Sequence, residues 1–227
     1  MPELSVTQEI TELRRRLGGD LLIIGHHYQD DRIIRHVDFS GDSLELARKS
    51  AASAAKHIVF CGVHFMAESA AILAGAEQNI YLPVMEAGCV MANTAPAKLV
   101  DAALNALNSH GRKVIPLTYV NSSLAVKAVC GRFGGAVCTS ANAVAMLEWA
   151  FAQGDAVLFI PDKSLAQNTA RNLGLTPDDW HILNMQGQGE NLRQGPEAAR
   201  AAKARLCIWP GCCAIHARFK PAQVWEA

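Results

Sequence analysis

The sequence lacks the closely spaced cysteine pairs of small metal sites and the long apolar runs of membrane proteins. Of its seven cysteines, no two stand in a C-x-x-C arrangement, which argues against a zinc ribbon or a thioredoxin-like motif. No apolar run approaches the roughly 20 residues of a bilayer-spanning helix. Segment 1–20 reads as an amphipathic helix without the apolar core of a signal peptide. We therefore expect a cytoplasmic protein.

An excess of charge of one sign is also missing. The 21 Lys and Arg residues balance the 21 Asp and Glu residues, and only the short run 14–16 concentrates positive charge. Such a chain has no surface that would attract nucleic acid, so small molecules are the expected partners. Half of the 227 residues are hydrophobic, which is typical of one large or two modest folded domains.

The cysteines divide by their sequence context. In a reducing compartment they cannot form a disulfide framework. Four lie in or beside apolar strands or a helix and are interpreted as small core residues: Cys61, Cys130, Cys138 and Cys207. Cys89 and Cys213 each follow a glycine at the predicted end of a strand, and both are candidate metal ligands. The role of Cys212 stays open.

A repeating pattern runs along the chain: a short apolar run, a polar loop and an Ala/Leu-rich helical stretch. This alternation predicts parallel strands with crossover helices. Segments 21–93 and 113–219 resemble a weak internal duplication, which predicts two related α/β domains. We place the joint in a helix near 95–112. Segment 175–200 is the least periodic and is expected to be an excursion without catalytic groups.

Polar residues mark the predicted ends of strands and starts of helices. In open parallel sheets ligands bind beyond the carboxyl ends of the strands, and unpaired N–H groups at helix starts can hold phosphate or carboxylate. A set aimed at one cleft would suit a small, multiply charged anion. These candidates are His26, Tyr28, Ser43, Tyr119, Asn121, Ser122, Ser123, Thr139, Ser140 and Ser164.

Each of these positions also has a purely structural interpretation. Ser, Thr, Asn and Asp are the favoured helix N-caps, and capping alone explains any one of the serines. An isolated histidine at a strand end, such as His26 or His27, is more often structural than functional, and His64 remains ambiguous. If Cys89 and Cys213 point from opposite domains into one cleft, the polar candidates at the strand tips would belong to one functional site. His216 adds a polar group to the Cys213 loop.

Eight motifs in one order resemble those of the quinolinate synthase family. They extend over nearly the whole chain, and their order is more specific than any single motif: IGHHYQ, SGDSLELARKSA, FCGVHFMAE, AGCVMAN, TYVNSSLAVKA, VCTSANA, FIPDKSLAQN and WPGCCAIHARF. The resemblance implies three-layer αβα domains with parallel sheets, related by a pseudo-threefold axis. It places a first domain at 1–110, a second at 111–220 and the start of a third at 221–227.

The resemblance also implies an activity and a cofactor. Members of the family are transferases that condense iminoaspartate with dihydroxyacetone phosphate to quinolinate, losing phosphate and water, in NAD biosynthesis. A functional link to L-aspartate oxidase or aspartate dehydrogenase follows from that pathway. Their 4Fe-4S cluster is held by three cysteines, one per domain, with one iron left open to act as a Lewis acid.

Site residues are carried over from the motifs. Cys89 and Cys213 resemble cluster ligands, and the third ligand has no counterpart in this chain. Tyr28 and His26 resemble the catalytic residues. His26 also belongs to the expected substrate-binding set with Ser43, Tyr119, Asn121 and Ser140. Asp162 and Lys163 match a PD motif, and His216 matches the histidine that follows the second cysteine.

The family's third domain, with its own cysteine and a His-Pro-Glu segment, is not matched. The chain ends on FKPAQVWEA, which reads as a first helical turn. Two units alone would leave an apolar docking face and a loosely held cluster, and the chain as it stands could lack activity. A two-domain relative that binds an anionic metabolite or a metal without turnover is the alternative. Zinc-dependent hydrolysis is a third interpretation, disfavoured by the absence of clustered His, Asp and Glu.

Overall fold

The computed structural model describes residues 5–109 and 111–225. Within them the strands are β1 (Leu21–His26), β2 (Phe39–Gly41), β3 (His57–Cys61), β4 (Asn79–Tyr81), β5 (Val114–Tyr119), β6 (Ala136–Cys138), β7 (Ala156–Ile160), β8 (Trp180–Ile182) and β9 (Leu206–Ile208). The helices are α1 (Val6–Leu17), α2 (Asp31–Ile34), α3 (Ser43–Ala52), α4 (His64–Leu73), α5 (Val90–Asn93), α6 (Ala97–Asn108), α7 (Leu124–Arg132), α8 (Ala143–Gln153), α9 (Lys163–Asn172), α10 (Pro196–Lys203) and α11 (Pro221–Trp225).

Contacts divide the chain into a first unit, Met1–Gly88, and a second unit, Cys89–Ala227. The division lies before the expected boundary at 110. Helix α6 explains the difference, since Val100, Leu104 and Leu107 pack into the core of the second unit. Cys89 therefore belongs to the second unit rather than to the first. Helix α11 forms as expected within 221–225, and residues 226 and 227 lie outside the described part.

The first unit contains a four-stranded parallel sheet in the order β2-β1-β3-β4. Its strands alternate between two faces. In β3, Ile58 and Phe60 are fully buried, on the face covered by the packed pair α3 and α4. Val59 and Cys61 face the other way, into an open apolar groove of about 780 Å³ beside α1 and α2.

The second unit contains a five-stranded parallel sheet in the order β6-β5-β7-β9-β8. Both faces are covered, which explains why β5, β7 and β9 read as continuous apolar runs. Val114, Leu158 and Ile160 pack with α6, α7 and α10 on one face. Leu117 and Phe159 pack with α8 and α9 on the other. This unit is a three-layer αβα sandwich.

The two sheets share one arrangement, as the duplication predicted. The order β2-β1-β3-β4 recurs as β6-β5-β7-β9, and β8 is added at the edge. The expectation for segment 175–200 missed both β8 and the start of α10, because their apolar residues are few and widely spaced. The predicted α/β fold with parallel sheets is confirmed. None of the helices in the described residues combines the length and apolar character needed to cross a bilayer.

Candidate active site

A pocket of about 320 Å³ lies at the carboxyl ends of the second sheet. Tyr119 is the last residue of β5, Ser140 follows β6, and Asp162 follows β7. Parallel strands bring these tips to the same edge, which is where ligands bind in sheets of this type. The residues that line the pocket are Met91, Tyr119, Ser140, Asp162, Ser164, Leu165, Asn168, Cys213 and His216.

Tyr119 is held as a neutral phenol. Burial is the main cause that raises its pKa, and the charge of Asp162 acts in the same direction. A hydrogen bond with Ser140 opposes the shift. The phenol therefore keeps its proton at neutral pH and can donate a hydrogen bond into the pocket.

Asp162 is nine-tenths buried at the start of α9. Its Oδ1 atom accepts hydrogen bonds from the backbone N–H groups of Ser164 at 2.7 Å and Leu165 at 2.9 Å. The carboxylate therefore serves first as the helix cap. The Lys163 backbone N–H donates to the carbonyl oxygen of Gly211 at 2.8 Å, which ties this turn to the segment that leads to Cys213.

The first unit has the same kind of aspartate helix cap at the start of α3. Asp42 accepts hydrogen bonds from the backbone N–H groups of Leu44 at 2.9 Å and Glu45 at 2.8 Å. The starts of α3 and α9 were expected to hold anions, but in both helices a carboxylate already takes the leading N–H groups. An anionic ligand at either place would meet negative charge, so hydroxyl and phenol groups are the better candidates for binding it.

The serines separate into structural and available groups. Ser123 caps α7, because its Oγ accepts from the Val126 N–H at 3.3 Å. Ser122 is fully buried, and its hydroxyl donates to the Tyr119 carbonyl oxygen at 2.9 Å. For these two the capping or turn interpretation is sufficient. Ser43 is the first residue of α3 and Ser140 precedes α8, and neither caps its helix.

His26, the last residue of β1, is 6% exposed. Its Nδ1 atom accepts a hydrogen bond from the Tyr28 backbone N–H at 3.4 Å, and the two rings lie 3.8 Å apart. Burial, with the charge of His27 second, lowers the pKa of His26 to about 4, against the opposing effect of Asp42. The ring is therefore neutral at physiological pH. Ser43 lies in the same unit and is also buried.

Burial distinguishes the cysteines from one another. It raises the pKa of Cys130, Cys138 and Cys207 to about 12, so these thiols stay protonated in the core, as the sequence predicted. Cys61 is only half-buried and lines the apolar groove of the first unit. The remaining cysteines, Cys89, Cys212 and Cys213, are also half-buried.

Cys89 occupies a different position from the one expected. It is the residue before the short helix α5, well past the end of β4, and does not end a strand. Cys213 likewise follows β9 by several residues. Both cysteines lie in loops of the second unit, and Cys213 rather than Cys212 lines the pocket. We expected Cys89 and Cys213 to come from different domains. In the structure, contacts group both cysteines into the second unit, where they lie in two separate loops.

The pocket also includes residues that no sequence motif marked as functional. Leu165 and Asn168 come from α9 and Met91 comes from α5. The positions 164, 165 and 168 share one helical face. Their spacing within FIPDKSLAQN could therefore have identified Leu165 and Asn168 as neighbours of the candidate Ser164. Asn121 lies in the loop after β5, and it is not among the residues that line this pocket.

Comparison with known proteins identifies the family. The family described as "Quinolinate synthetase A protein" matches residues 8–227. This chain belongs to the quinolinate synthase family. It is 43% identical to the quinolinate synthase of Acidobacterium capsulatum, over 99% of this chain and 60% of that protein. The quinolinate synthase of a Nocardioides species is 48% identical over 92% of this chain and 55% of its own length.

A third quinolinate synthase, from Halobacterium salinarum, is 42% identical over 97% of this chain and 58% of its own length. The chain thus spans between 55% and 60% of these relatives. A solved structure, the E-1-hydroxy-2-methyl-but-2-enyl-4-diphosphate reductase from Plasmodium falciparum, matches 96% of this chain and 74% of that one. With a TM-score of 0.24 and 10% identity, it supports no argument about fold.

The donor set can be compared with what an iron-sulfur cluster requires. Among residues 5–109 and 111–225, no group of three or more His, Cys, Asp or Glu side chains is arranged to hold a metal ion. Cys89 and Cys213 nevertheless supply two partly exposed thiols in one unit, and thiolates are the ligands that such clusters use. The residues present fit two of the protein ligands of a cluster.

Proposed function

We propose that this chain contributes two α/β units of a quinolinate synthase, which condenses iminoaspartate with dihydroxyacetone phosphate and releases phosphate and water in NAD biosynthesis. The observation that carries the proposal is the meeting of Cys213, Tyr119 and Ser140 in one pocket at the carboxyl ends of a parallel sheet. Membership of the family supports the proposal of this reaction. L-Aspartate oxidase or aspartate dehydrogenase would be the linked activity.

In this proposal Cys89 and Cys213 are two ligands of a 4Fe-4S cluster, and the family's third ligand has no counterpart in this chain. When bound, the cluster supplies a Lewis-acidic iron that polarises substrate oxygen or nitrogen. Thiolate ligands require a reducing setting, which is consistent with a cytoplasmic location. The buried cysteines are not alternatives, because their raised pKa keeps them as thiols.

Tyr119 and Ser140 bind and orient substrate. A neutral phenol whose pKa is raised by burial donates a hydrogen bond to a carboxylate or carbonyl oxygen and keeps its proton. Ser140 fixes the direction of the phenol through their hydrogen bond. His216 lines the pocket and is a secondary candidate. Asn121, in the loop that follows Tyr119, and Lys163, at the start of α9, are further candidates for binding substrate from outside this lining.

His26, Tyr28 and Ser43 are the substrate-binding and catalytic candidates within the first unit. The neutral imidazole uses Nδ1 to accept from the Tyr28 backbone, which leaves the proton on Nε2 for donation to substrate. Tyr28 is the candidate for moving a proton, since its phenol is 57% exposed and next to this ring. The hydroxyl of Ser43 is available for an anion because Asp42 already caps α3.

Anaerobic reconstitution followed by a quinolinate assay tests this function. We expect the parent chain with iron and sulfide to convert iminoaspartate and dihydroxyacetone phosphate to quinolinate. Tyr119→Phe should lower the rate about 10- to 100-fold, because it removes one hydrogen bond to a charged substrate group. Tyr81→Phe is the matched control, since Tyr81 lines the groove of the first unit, and it should retain the parent rate.

A chain that binds the cluster and forms no quinolinate would refute turnover by these two units. A Tyr119→Phe variant with the parent rate would refute the role given to the phenol.

A further inference from the structure

The segments that carry Cys89 and Cys213 are joined by three residues, which we call the Thr94–Trp209–Gly211 junction. Trp209 lies directly after β9 and is 1% exposed. Its indole Nε1 donates a hydrogen bond to the backbone carbonyl oxygen of Thr94 at 2.9 Å. Thr94 comes from the Cys89 segment and Trp209 from the Cys213 segment, so this bond connects the two across the fold.

Thr94 is in turn fixed to the helix that begins after Cys89. Its Oγ1 donates to the Met91 carbonyl oxygen at 2.7 Å, and its backbone N–H donates to the same oxygen at 3.1 Å. The Asn93 backbone N–H donates to the Cys89 carbonyl oxygen at 3.1 Å. A displacement of Thr94 is therefore transmitted through α5 to the backbone of Cys89.

Gly211 closes the junction from the other side. A Cβ atom at this position would lie 2.2 Å from the Oγ1 of Thr94 and 2.5 Å from the Pro161 carbonyl oxygen. The second of these atoms belongs to the backbone and cannot rotate away. Residue 211 also pairs with Asp162 and accepts a hydrogen bond from the Lys163 N–H at 2.8 Å. The chain two residues before Cys213 is thus held between Thr94 and the turn that follows β7.

We propose that the Thr94–Trp209–Gly211 junction positions the Cys89 and Cys213 thiolates relative to each other for iron-sulfur ligation. The inference rests on the proposed function, because it deepens the role of these two cysteines. Its residues are positioning residues, since they act through the backbone of the ligands and not by contact with substrate. A rigid cluster needs its ligands at a fixed separation, and groups that orient ligands typically change metal affinity 10- to 100-fold when altered.

Two variants with matched controls test the junction. Trp209→Phe removes the indole N–H and keeps an aromatic ring, and Trp149→Phe on α8 is its control. Gly211→Ala adds the Cβ atom, and Gly131→Ala on α7 is its control, since a Cβ there meets no atom within 4 Å. After anaerobic reconstitution, we expect Trp209→Phe and Gly211→Ala to lose iron to a chelator about 10- to 100-fold faster than the parent. The two controls should behave as the parent.

A second readout needs no iron. In the apo protein, a short bis-maleimide should cross-link Cys89 to Cys213, as identified by peptide mass spectrometry, and Trp209→Phe should lower the yield several-fold. Circular dichroism confirms that each variant is folded, and if Gly211→Ala fails to fold, Trp209→Phe decides the outcome. Parent-like iron retention and cross-linking in Trp209→Phe would overturn the proposal, as would a parent without this cross-link. A parent that cross-links but takes up no iron would refute the proposed function alone. The cross-linking yields of the parent and of Trp209→Phe would still test the role of the junction.

Discussion

At the residue scale, burial sets the proton chemistry of the groups at the strand tips. It raises the pKa of Tyr119 and lowers the pKa of His26 to about 4. In both cases the neutral form is favoured, because moving a charge out of water is costly. The pocket and the tip of β1 therefore offer hydrogen-bond donors rather than fixed positive charge.

The pKa of His26 makes stability depend on pH. The unfolded chain binds a proton near the ordinary value of 6.5, whereas the folded chain does so only near 4. Because the unfolded state binds more protons between these values, the free energy of unfolding should fall as pH drops from 6.5 towards 4. NMR titration of the ring and urea unfolding across this range measure the two quantities.

Two variants make this test specific. His26→Gln should flatten the pH dependence between 6.5 and 4. His27→Gln should leave the low pKa of His26 in place, because burial is its main cause. A His26 resonance that titrates near 6.5 would show that the ring is solvated and would remove the argument for its neutral role.

The sequence was sufficient to predict which residue types lie at the tips but not which of them are available for chemistry. Core cysteines were predictable from their apolar neighbours. The separation of Ser43 and Ser140 from Ser122 and Ser123 depends on which side chain reaches the helix N–H groups. That choice is made by backbone geometry a few residues away and has no local sequence signal.

At the scale of elements, the two units begin a helix after a strand tip with the same device, an aspartate N-cap. Asp42 serves α3 and Asp162 serves α9, each with one Oδ1 atom that accepts two backbone N–H bonds. Both caps precede a residue of interest, Ser43 in one unit and Lys163 in the other. The two caps therefore place Ser43 and Lys163 at the first positions of α3 and α9.

Removing a cap should destabilise the chain by a predictable amount. We expect Asp162→Ala and Asp42→Ala each to lower the free energy of unfolding by about 1 to 2 kcal/mol, the usual effect of losing an N-cap. Asp162→Ser should retain most of the stability, because a serine oxygen can accept the same bonds. Urea unfolding followed by circular dichroism measures the difference. Equal losses in the Ala and Ser variants would show that the carboxylate acts through packing or charge instead.

The elements themselves were largely predictable from sequence, since buried parallel strands and amphipathic helices have strong periodicity. Two features were not. Strand β8 contains only three residues and gains its order from pairing with β9, a tertiary effect. The assignment of α6 to the second unit depends on which sheet its apolar face meets, and an amphipathic pattern does not specify its partner.

At the scale of the whole molecule, the chain combines two parallel sheets of related strand order with membership of the quinolinate synthase family. The duplication was visible in the sequence because strand tips recur at matching places. The location of both candidate ligands in one unit was not visible, since Cys89 is separated from its unit's sheet by a short helix and α6. Because of this location, cluster ligation by the second unit depends on the positions of the two loops that carry Cys89 and Cys213.

Iron uptake by cysteine variants is the measurement that tests this account most directly. Under anaerobic reconstitution with iron and sulfide, the parent and Cys61→Ala, a half-buried cysteine of the first unit, should both take up iron and show the absorption of a cluster. Cys89→Ala and Cys213→Ala should each lose most of that iron. A colourless parent, or Cys89→Ala and Cys213→Ala variants that bind iron as well as the parent, would contradict the central claim.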